Sequence, residues 1–325
     1  MGIGQITAGL YSNRNQLNLE RFHVIGLVKT TSGDDLITDS AAGATAYATG
    51  KKTYNGAIGV DMDTVAHPTI LEIAEQNGLA TGLIATSEII HATPASFIAH
   101  VYNRLMYEDI ALDFMDTEVD LLIGGGYKYF AKRRDNRDLI AEFNSRGYQV
   151  ENEGPSLRRL EVPANKNLAY FTAETKPDRV MNGRRYLPDA AEYGLEFLSQ
   201  RSSQGFFLMV EGSQIDWGGH ANNQEYIITE MLDFDETIGE VLDFAEADGH
   251  TLVIVTADHE TGGFAINRGS EMGDLETGFT TGGHTGNMVP VFAYGPGAEQ
   301  FAGIIDNTEI FEKMVSAFGF NAPKP

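Results

Sequence analysis

Three short His-bearing segments carry the residue types that bind metals: Glu211-Gly-Ser-Gln-Ile-Asp216-Trp217-Gly-Gly-His220, then Thr256-Ala-Asp258-His259-Glu260-Thr-Gly-Gly263, then Thr281-Gly-Gly-His284-Thr-Gly286. Imidazole with carboxylate suits zinc, and carboxylate alone suits magnesium. The glycines let the backbone turn tightly beside a ligand. The chain has 8 His, so a single His beside an acid would mean little. Three such segments are a different matter, because at least one directly follows an apolar run that reads as a buried strand.

A nucleophile candidate lies in Thr38-Asp39-Ser40-Ala-Ala-Gly-Ala-Thr-Ala-Tyr-Ala-Thr-Gly50. The Ala-rich stretch favours helix, with Ser40 at its N-terminus. Ser40 is then either a plain N-cap or a hydroxyl placed where free N–H groups and positive potential would meet a phosphate. A nearby zinc would lower the hydroxyl pKa. A second polar cluster is Thr86-Ser87-Glu88-Ile-Ile-His91-Ala-Thr93-Pro94-Ala-Ser96, followed by Arg104. Arg104 is expected near the end of a short helix from Ser96, as a C-terminal cap or as a bidentate clamp on phosphate oxygens. Spacing alone does not separate these roles. No G-x-S-x-G elbow, P-loop or dinucleotide fingerprint is present.

These segments need a scaffold, and the sequence supplies one. Apolar runs at His23–Val28, Ala80–Ala85, Asp120–Gly124, Gly205–Val210, His250–Val255 and Val289–Tyr294 are apolar on both faces, as covered parallel strands should be. Helical patterns alternate with them at Pro68–Asn77, Asp189–Gln200, Asn222–Ala247 and Thr308–Phe318. In the longest, Ile227, Met231, Leu232, Phe234, Ile238, Val241, Leu242 and Ala245 form a core-facing stripe. The alternation predicts an α/β fold, with a mostly parallel central sheet and helices on both faces. Ligands in such folds bind at the carboxyl ends of strands. Glu211, Asp258 with His259, and Ser87 with His91 all follow strand runs. We expect one domain over residues 1–325, with an irregular insert or subdomain around 131–185.

In combination these motifs resemble bacterial alkaline phosphatases, over nearly the whole chain and in the right order. The resemblance implies hydrolysis of phosphate monoesters through a phosphoserine intermediate, with two zinc ions and one magnesium. Ser40 would be the nucleophile and Arg104 would bind the phosphoryl oxygens. Asp216, His220 and His284 would hold the first zinc, and Asp258 and His259 the second. Thr93 and Glu211 would serve magnesium, together with His91, which stands where many members have Asp. Trp217 would face the substrate, at a position where many have Lys or His. Export to the periplasm or beyond and homodimers are also implied. Family members open with an apolar strand ending in Asp-Gly, whose Asp is a further metal ligand. Met1-Gly-Ile-Gly-Gln5 resembles the residues just after that pair, so the chain is expected to start there, as a fragment or an incomplete gene model. The rival readings are a phosphodiesterase of the same superfamily and an impaired phosphate- or metal-binding fragment.

Composition narrows the partners. A formal charge of −23 argues against a nucleic-acid footprint but not against a small phosphate ester, because bound metals can set the local charge. There is no Cys, which excludes a thiol nucleophile, thiolate metal sites and disulfides. No apolar run is long enough to span a bilayer, and no signal-peptide pattern opens the chain.

Overall fold

A computed structural model describes residues 1–154 and 156–320. Thirteen strands occur in chain order among the described residues. They are β1 Val24–Lys29, β2 Ala80–Glu88, β3 Leu121–Gly125, β4 Tyr148–Asn152, β5 Asn167–Phe171, β6 Phe206–Glu211, β7 Val253–Val255, β8 Glu260–Thr261, β9 Ala265–Ile266, β10 Thr277–Gly278, β11 His284–Thr285, β12 Val289–Tyr294 and β13 Gly303–Asp306. One sheet has the order β4-β5-β3-β2-β6 and is parallel throughout. A second has the order β13-β1-β12-β7, in which β12 runs antiparallel to both neighbours. The apolar runs at His23–Val28 and Val289–Tyr294 were thus strands, but their mutual pairing is antiparallel. Apolarity on both faces reports cover on both faces and does not encode direction.

The five-stranded sheet carries the core on its two sides. Ile84, Leu121, Ile123 and Leu168 pack with Leu187, Ala190 and Leu198 of the helix Leu187–Ser199. Leu83, Ala85, Leu122 and Ala169 face the opposite way, in a cluster with Ile70, Leu71, Ile110 and Phe130 from helices on that side. Alternation along each strand with period two produces this division. Every residue of β2 is buried, as befits the strand between β3 and β6.

The long helix runs Gln224–Asp248. Asn223 caps its start by accepting from the Tyr226 amide, and Gly249 ends it at a φ of 72°. Ile227, Met231, Ile238, Leu242 and Ala245 are buried as their spacing predicts, while Leu232, Phe234 and Val241 are partly so. The polar stretch 131–185, read above as an irregular insert or subdomain over the sheet, contains β4 and β5, which extend the parallel sheet at one edge.

Candidate metal centre and nucleophile

The carboxyl ends of the strands gather the candidate residues. Glu211 is the last residue of β6, Asp258 and His259 follow β7, Thr86 to Glu88 close β2, and His91 follows it. The antiparallel pair β8–β11 then sets His284 opposite Thr261, so two segments far apart in sequence meet. Two glycines permit the close approach. A Cβ on Gly43 would lie 3.0 Å from the Asp258 Cβ, so the helix Ser40–Thr49 can press against that residue. One on Gly219 would lie 2.8 Å from the Thr261 carbonyl oxygen, beneath the helix Gln214–His220 that presents Asp216 and His220.

Ser40 is the first residue of its helix and not the cap. Asp39, at φ −98° and ψ 172°, caps it by accepting from the Ala42 amide. The Ser40 hydroxyl is therefore free of capping duty, and its Oγ lies 3.0 Å from His259 Nε2. The same Nε2 lies 3.1 Å from Asp258 Oδ2. A Ser-His-Asp relay needs the acid on the other ring nitrogen, and here Nδ1 meets the Thr261 hydroxyl at 3.2 Å. The arrangement is therefore two metal-ligand atoms, an imidazole nitrogen and a carboxylate oxygen, converging beside a hydroxyl. Burial alone would raise the Asp258 carboxyl, but the adjacent His259 ring holds it well below the usual carboxylate range. His259 is moved upward by Asp258 against the opposing effect of burial.

Asp216, His220 and His284 bring one ligand atom each to within 4.8 Å of one another. The two Nε2 atoms of His220 and His284 are 3.1 Å apart. Each ring's Nδ1 faces a carbonyl oxygen, of Gly282 at 2.8 Å and of Thr38 at 2.9 Å. A carbonyl can only accept, so each Nδ1 carries the proton and each Nε2 turns a lone pair toward the other. Lone pairs aimed at each other beside the Asp216 carboxylate fit a cation between them. The His259 and His284 rings stack at 3.5 Å between centroids, which joins the two clusters. The Thr261 hydroxyl donates to Asp216 Oδ1 and also meets His259, a bridging role that the sequence did not suggest.

The third cluster is more enclosed. Burial pushes the Glu211 carboxyl up to about 7, while hydroxyls of Ser213 and Thr93 pull it back. Ser87 Oγ also reaches Glu211 Oε2, at 3.5 Å. His91 occupies the N-cap position of the short helix Ala92–Ala95 without a side-chain capping bond. Burial, followed by the charge of Arg104, pushes His91 down to about 4. Among the described residues its Nδ1 is buried without a partner, as are Glu88 Oε2 and Thr86 Oγ1. Buried polar atoms without partners call for a ligand or water. The His91 ring stands edge-on to Trp217, with centroids 5.9 Å apart.

Arg104 is not at a helix end. The helix expected from Ser96 stops at Ala95, and Ser96 is its C-cap. Arg104 sits in the following loop, where its amide donates to the Gly56 carbonyl at 2.7 Å. Its Nη1 donates to Asp39 Oδ2 at 2.9 Å, which holds the guanidinium beside the start of the Ser40 helix. Asp39 thus caps the helix and positions the arginine. Its signal in the sequence was an acid directly before a serine at a helix start. The first residues of the chain also abut the site. The Met1 nitrogen donates to the His259 carbonyl at 3.0 Å, and Gln5 Nε2 to that of Thr261 at 3.3 Å. Glu260, in the middle of a metal-like segment, faces away and accepts from the amides of Gly263 and Phe264. A cleft of about 390 Å³ lined by Met115, Glu118, Arg146 and Tyr148 contains none of the candidate residues.

The alkaline phosphatase family model matches residues 4–277 and 273–320. The chain belongs to the alkaline phosphatase family. It is 36% identical to alkaline phosphatase 3 of Bacillus subtilis, over 90% of this chain and 80% of that one. It is 33% identical to the alkaline phosphatase of Escherichia coli, over 90% and 76%. The fold superposes on the solved alkaline phosphatase of the Antarctic bacterium TAB5 with a TM-score of 0.93, at 44% identity, covering 99% of this chain and 95% of that one. Two further structures of the TAB5 enzyme carry a histidine exchanged for glutamate or aspartate and hold magnesium in a site called M3. The family binds metals and hydrolyses phosphate monoesters, and this chain is a phosphomonoesterase of that family. Among the described residues no helix is long and apolar enough to cross a membrane.

Proposed function

We propose that residues 1–325 act as a single catalytic domain that hydrolyses phosphate monoesters by way of phosphorylated Ser40. The Ser40 oxygen attacks phosphorus in line with the ester bond. The Ser40 O–P bond forms, the ester P–O bond breaks, and the alcohol leaves with a proton. A water oxygen then attacks the same phosphorus, the Ser40 O–P bond breaks, and phosphate departs. Arg104, steadied by Asp39, donates to the phosphoryl oxygens, where a guanidinium matches their geometry. Trp217 lines the substrate side of the site. Asp216, His220 and His284 would hold one zinc, and Asp258 and His259 would hold a second. Glu211, Thr93 and His91 would serve one magnesium. Such ions, when bound, ease ionisation of the nucleophile and offset charge on the transferring phosphoryl group.

The observation that carries this reading is the facing pair of imidazole Nε2 atoms, 3.1 Å apart with both tautomers fixed. It lies in the cluster that stacks on His259, the partner of Ser40. The magnesium assignment rests on the family likeness; the TAB5 structures that hold magnesium in M3 carry glutamate or aspartate in place of a histidine, so they speak for a carboxylate in that site rather than for an imidazole. By the same family likeness we assign the protein to the periplasm or the exterior and expect a homodimer. The test is turnover of a phosphate monoester against a diester, with zinc and magnesium measured per chain by elemental analysis. Monoester turnover with a phosphopeptide containing Ser40 supports the proposal. Preference for the diester overturns it.

A further inference from the structure

A phosphate dianion approaching this protein meets a chain of formal charge −23, so local cations must draw it in. Arg104 is one such cation, but its charge is already paired with Asp39 at 2.9 Å. A second cation stands at the same site and is not paired. Lys176 is exposed and makes no ion pair among the described residues. Its Nζ lies 4.9 Å from the centroid of the Trp217 ring, a cation–π contact. Trp217 in turn stands edge-on to His91.

The backbone beside Lys176 is anchored even though its side chain is exposed. Gln214 Nε2 donates to the carbonyls of Pro177 at 3.2 Å and Asp178 at 3.1 Å, and to that of Thr86 at 2.8 Å. Gln214 is buried and begins the helix that carries Asp216 and Trp217. One side chain therefore ties the Lys176 segment, the end of β2 and the first metal cluster into a single frame. The fixed backbone and flexible four-carbon stem keep an ammonium close to the site without fixing its final position. The charge of Lys176 also acts on both His91 and Glu88.

We propose that Lys176 is a substrate-binding residue whose ammonium leaves the face of Trp217 to contact the oxygens of phosphate bound between Ser40 and Arg104. This rests on the phosphatase reading above. The resting contact with the indole holds the ammonium near its target and costs little to break, since exposed cation–π pairs are weak. Charge from this segment compensates for the pairing of Arg104 with Asp39.

Trp217 is the chain's only tryptophan, so its emission reports the contact directly. Inorganic phosphate is titrated into the metal-loaded protein while emission is followed, with calorimetry giving the affinity. An ammonium over an indole quenches its emission, so departure of Lys176 should brighten wild-type protein as phosphate binds. Lys176→Met should start bright and show no phosphate-dependent change. It should bind phosphate about three- to tenfold more weakly, the range for losing one hydrogen bond of ordinary net strength. Lys176→Arg should restore the affinity. Wild-type affinity in Lys176→Met, alongside normal monoester turnover by wild-type protein, overturns the role of Lys176 and leaves the phosphatase function standing. Wild-type protein that neither binds phosphate nor turns over a monoester overturns both.

Discussion

Against the long helix, Arg184 lies between Glu230 and Asp233, with all three side chains no more than 5% exposed. At the carboxyl edge of the sheet, Asp216, His220 and His284 gather as closely, with His220 42% exposed. In the first cluster one guanidinium bridges two carboxylates, and only its Nε is left without a partner among the described residues. Arg184 donates to both acids, and Glu230 also accepts from the Val180 amide at 2.8 Å. In the second cluster acceptors face acceptors, with two imidazole nitrogens and a carboxylate turned toward one point. Both clusters hold charge, but only the second is incomplete without a cation. Charge density alone does not mark a functional site. Whether the lone pairs are spent does.

The largest expected contrast comes from Ser40→Ala. Turnover should fall by roughly 10⁴- to 10⁶-fold, the range for removing one member of a catalytic unit. Asp39 keeps the helix cap, so stability should change by only about 1 kcal/mol, the worth of the lost hydroxyl contact to His259. Phosphopeptide mapping and a melting curve check both halves. A phosphorylated residue elsewhere, with Ser40 unmodified, refutes the assignment.

The two charged clusters should fail in opposite ways. His220→Ala or His284→Ala should cut bound zinc and turnover together by about 100-fold or more, since each removes one of few ligands. Either should leave the metal-free fold intact. Arg184→Met should do the reverse. It strands two buried carboxylates and should cost about 3–5 kcal/mol of stability, with zinc content per folded chain unchanged. Elemental analysis beside denaturant titration separates the outcomes. Arg184→Met protein that unfolds normally but loses zinc would erase the distinction.

Spacing revealed the Asp216–His220 pair of the second cluster, the family resemblance joined His284 to it from 64 residues away, and the first cluster stayed hidden. Asp216 and His220 lie four residues apart on one helix beside two glycines, a local pattern that spacing can show. Arg184 meets Glu230 and Asp233 across 46 and 49 residues, so no window of sequence contains the triad. Strand runs were legible because burial on both faces leaves unbroken apolar stretches. Their direction was not, which is why the antiparallel placement of β12 appears only in the fold. β4 was missed for a related reason. As an edge strand it is mostly half-exposed and carries Gln149, Glu151 and Asn152, so its pattern is weak. Thr261 and Asp39 act through geometry alone, one bridging two metal clusters and the other holding Arg104.

A smaller effect separates the buried acid at the third cluster from those at the first. In metal-free protein Glu211 is pushed up to about 7 from an ordinary 4.5. The folded state therefore holds that proton more tightly than the unfolded chain. The stability contributed by protonated Glu211 is fully present below about pH 4.5 and is lost as pH rises through about 7. Melting temperatures of metal-free protein should fall across that window relative to Glu211→Gln, which cannot ionise. Saturating magnesium should flatten or reverse the trend, because a cation favours the carboxylate and expels the proton. Parallel curves for the two proteins would mean that Glu211 is already ionised in the metal-free fold.

The finest discrimination concerns His91, whose buried Nδ1 has no partner among the described residues. Burial and Arg104 push it down to about 4, so it is a neutral imidazole at working pH. A neutral nitrogen is a poor ligand for magnesium, which prefers oxygen and dehydrates reluctantly. Asp at this position supplies a charged oxygen, and the local backbone already suits it, because residue 91 is the N-cap of a short helix and Asp is a favoured cap. The shorter side chain also leaves space beside Trp217 for retained water. His91→Asp should therefore tighten magnesium by about tenfold, the worth of one added charge-assisted contact. Zinc at Asp216, His220 and His284 should be unaffected. The competing outcome is electrostatic. A second acid near Glu211 raises the cost of both charges in metal-free protein, so the same exchange should lower its melting temperature until magnesium is added. Calorimetric titration with magnesium, and melts with and without it, read the two effects separately. Unchanged magnesium affinity, together with an unchanged metal-free melt, places His91 outside the site.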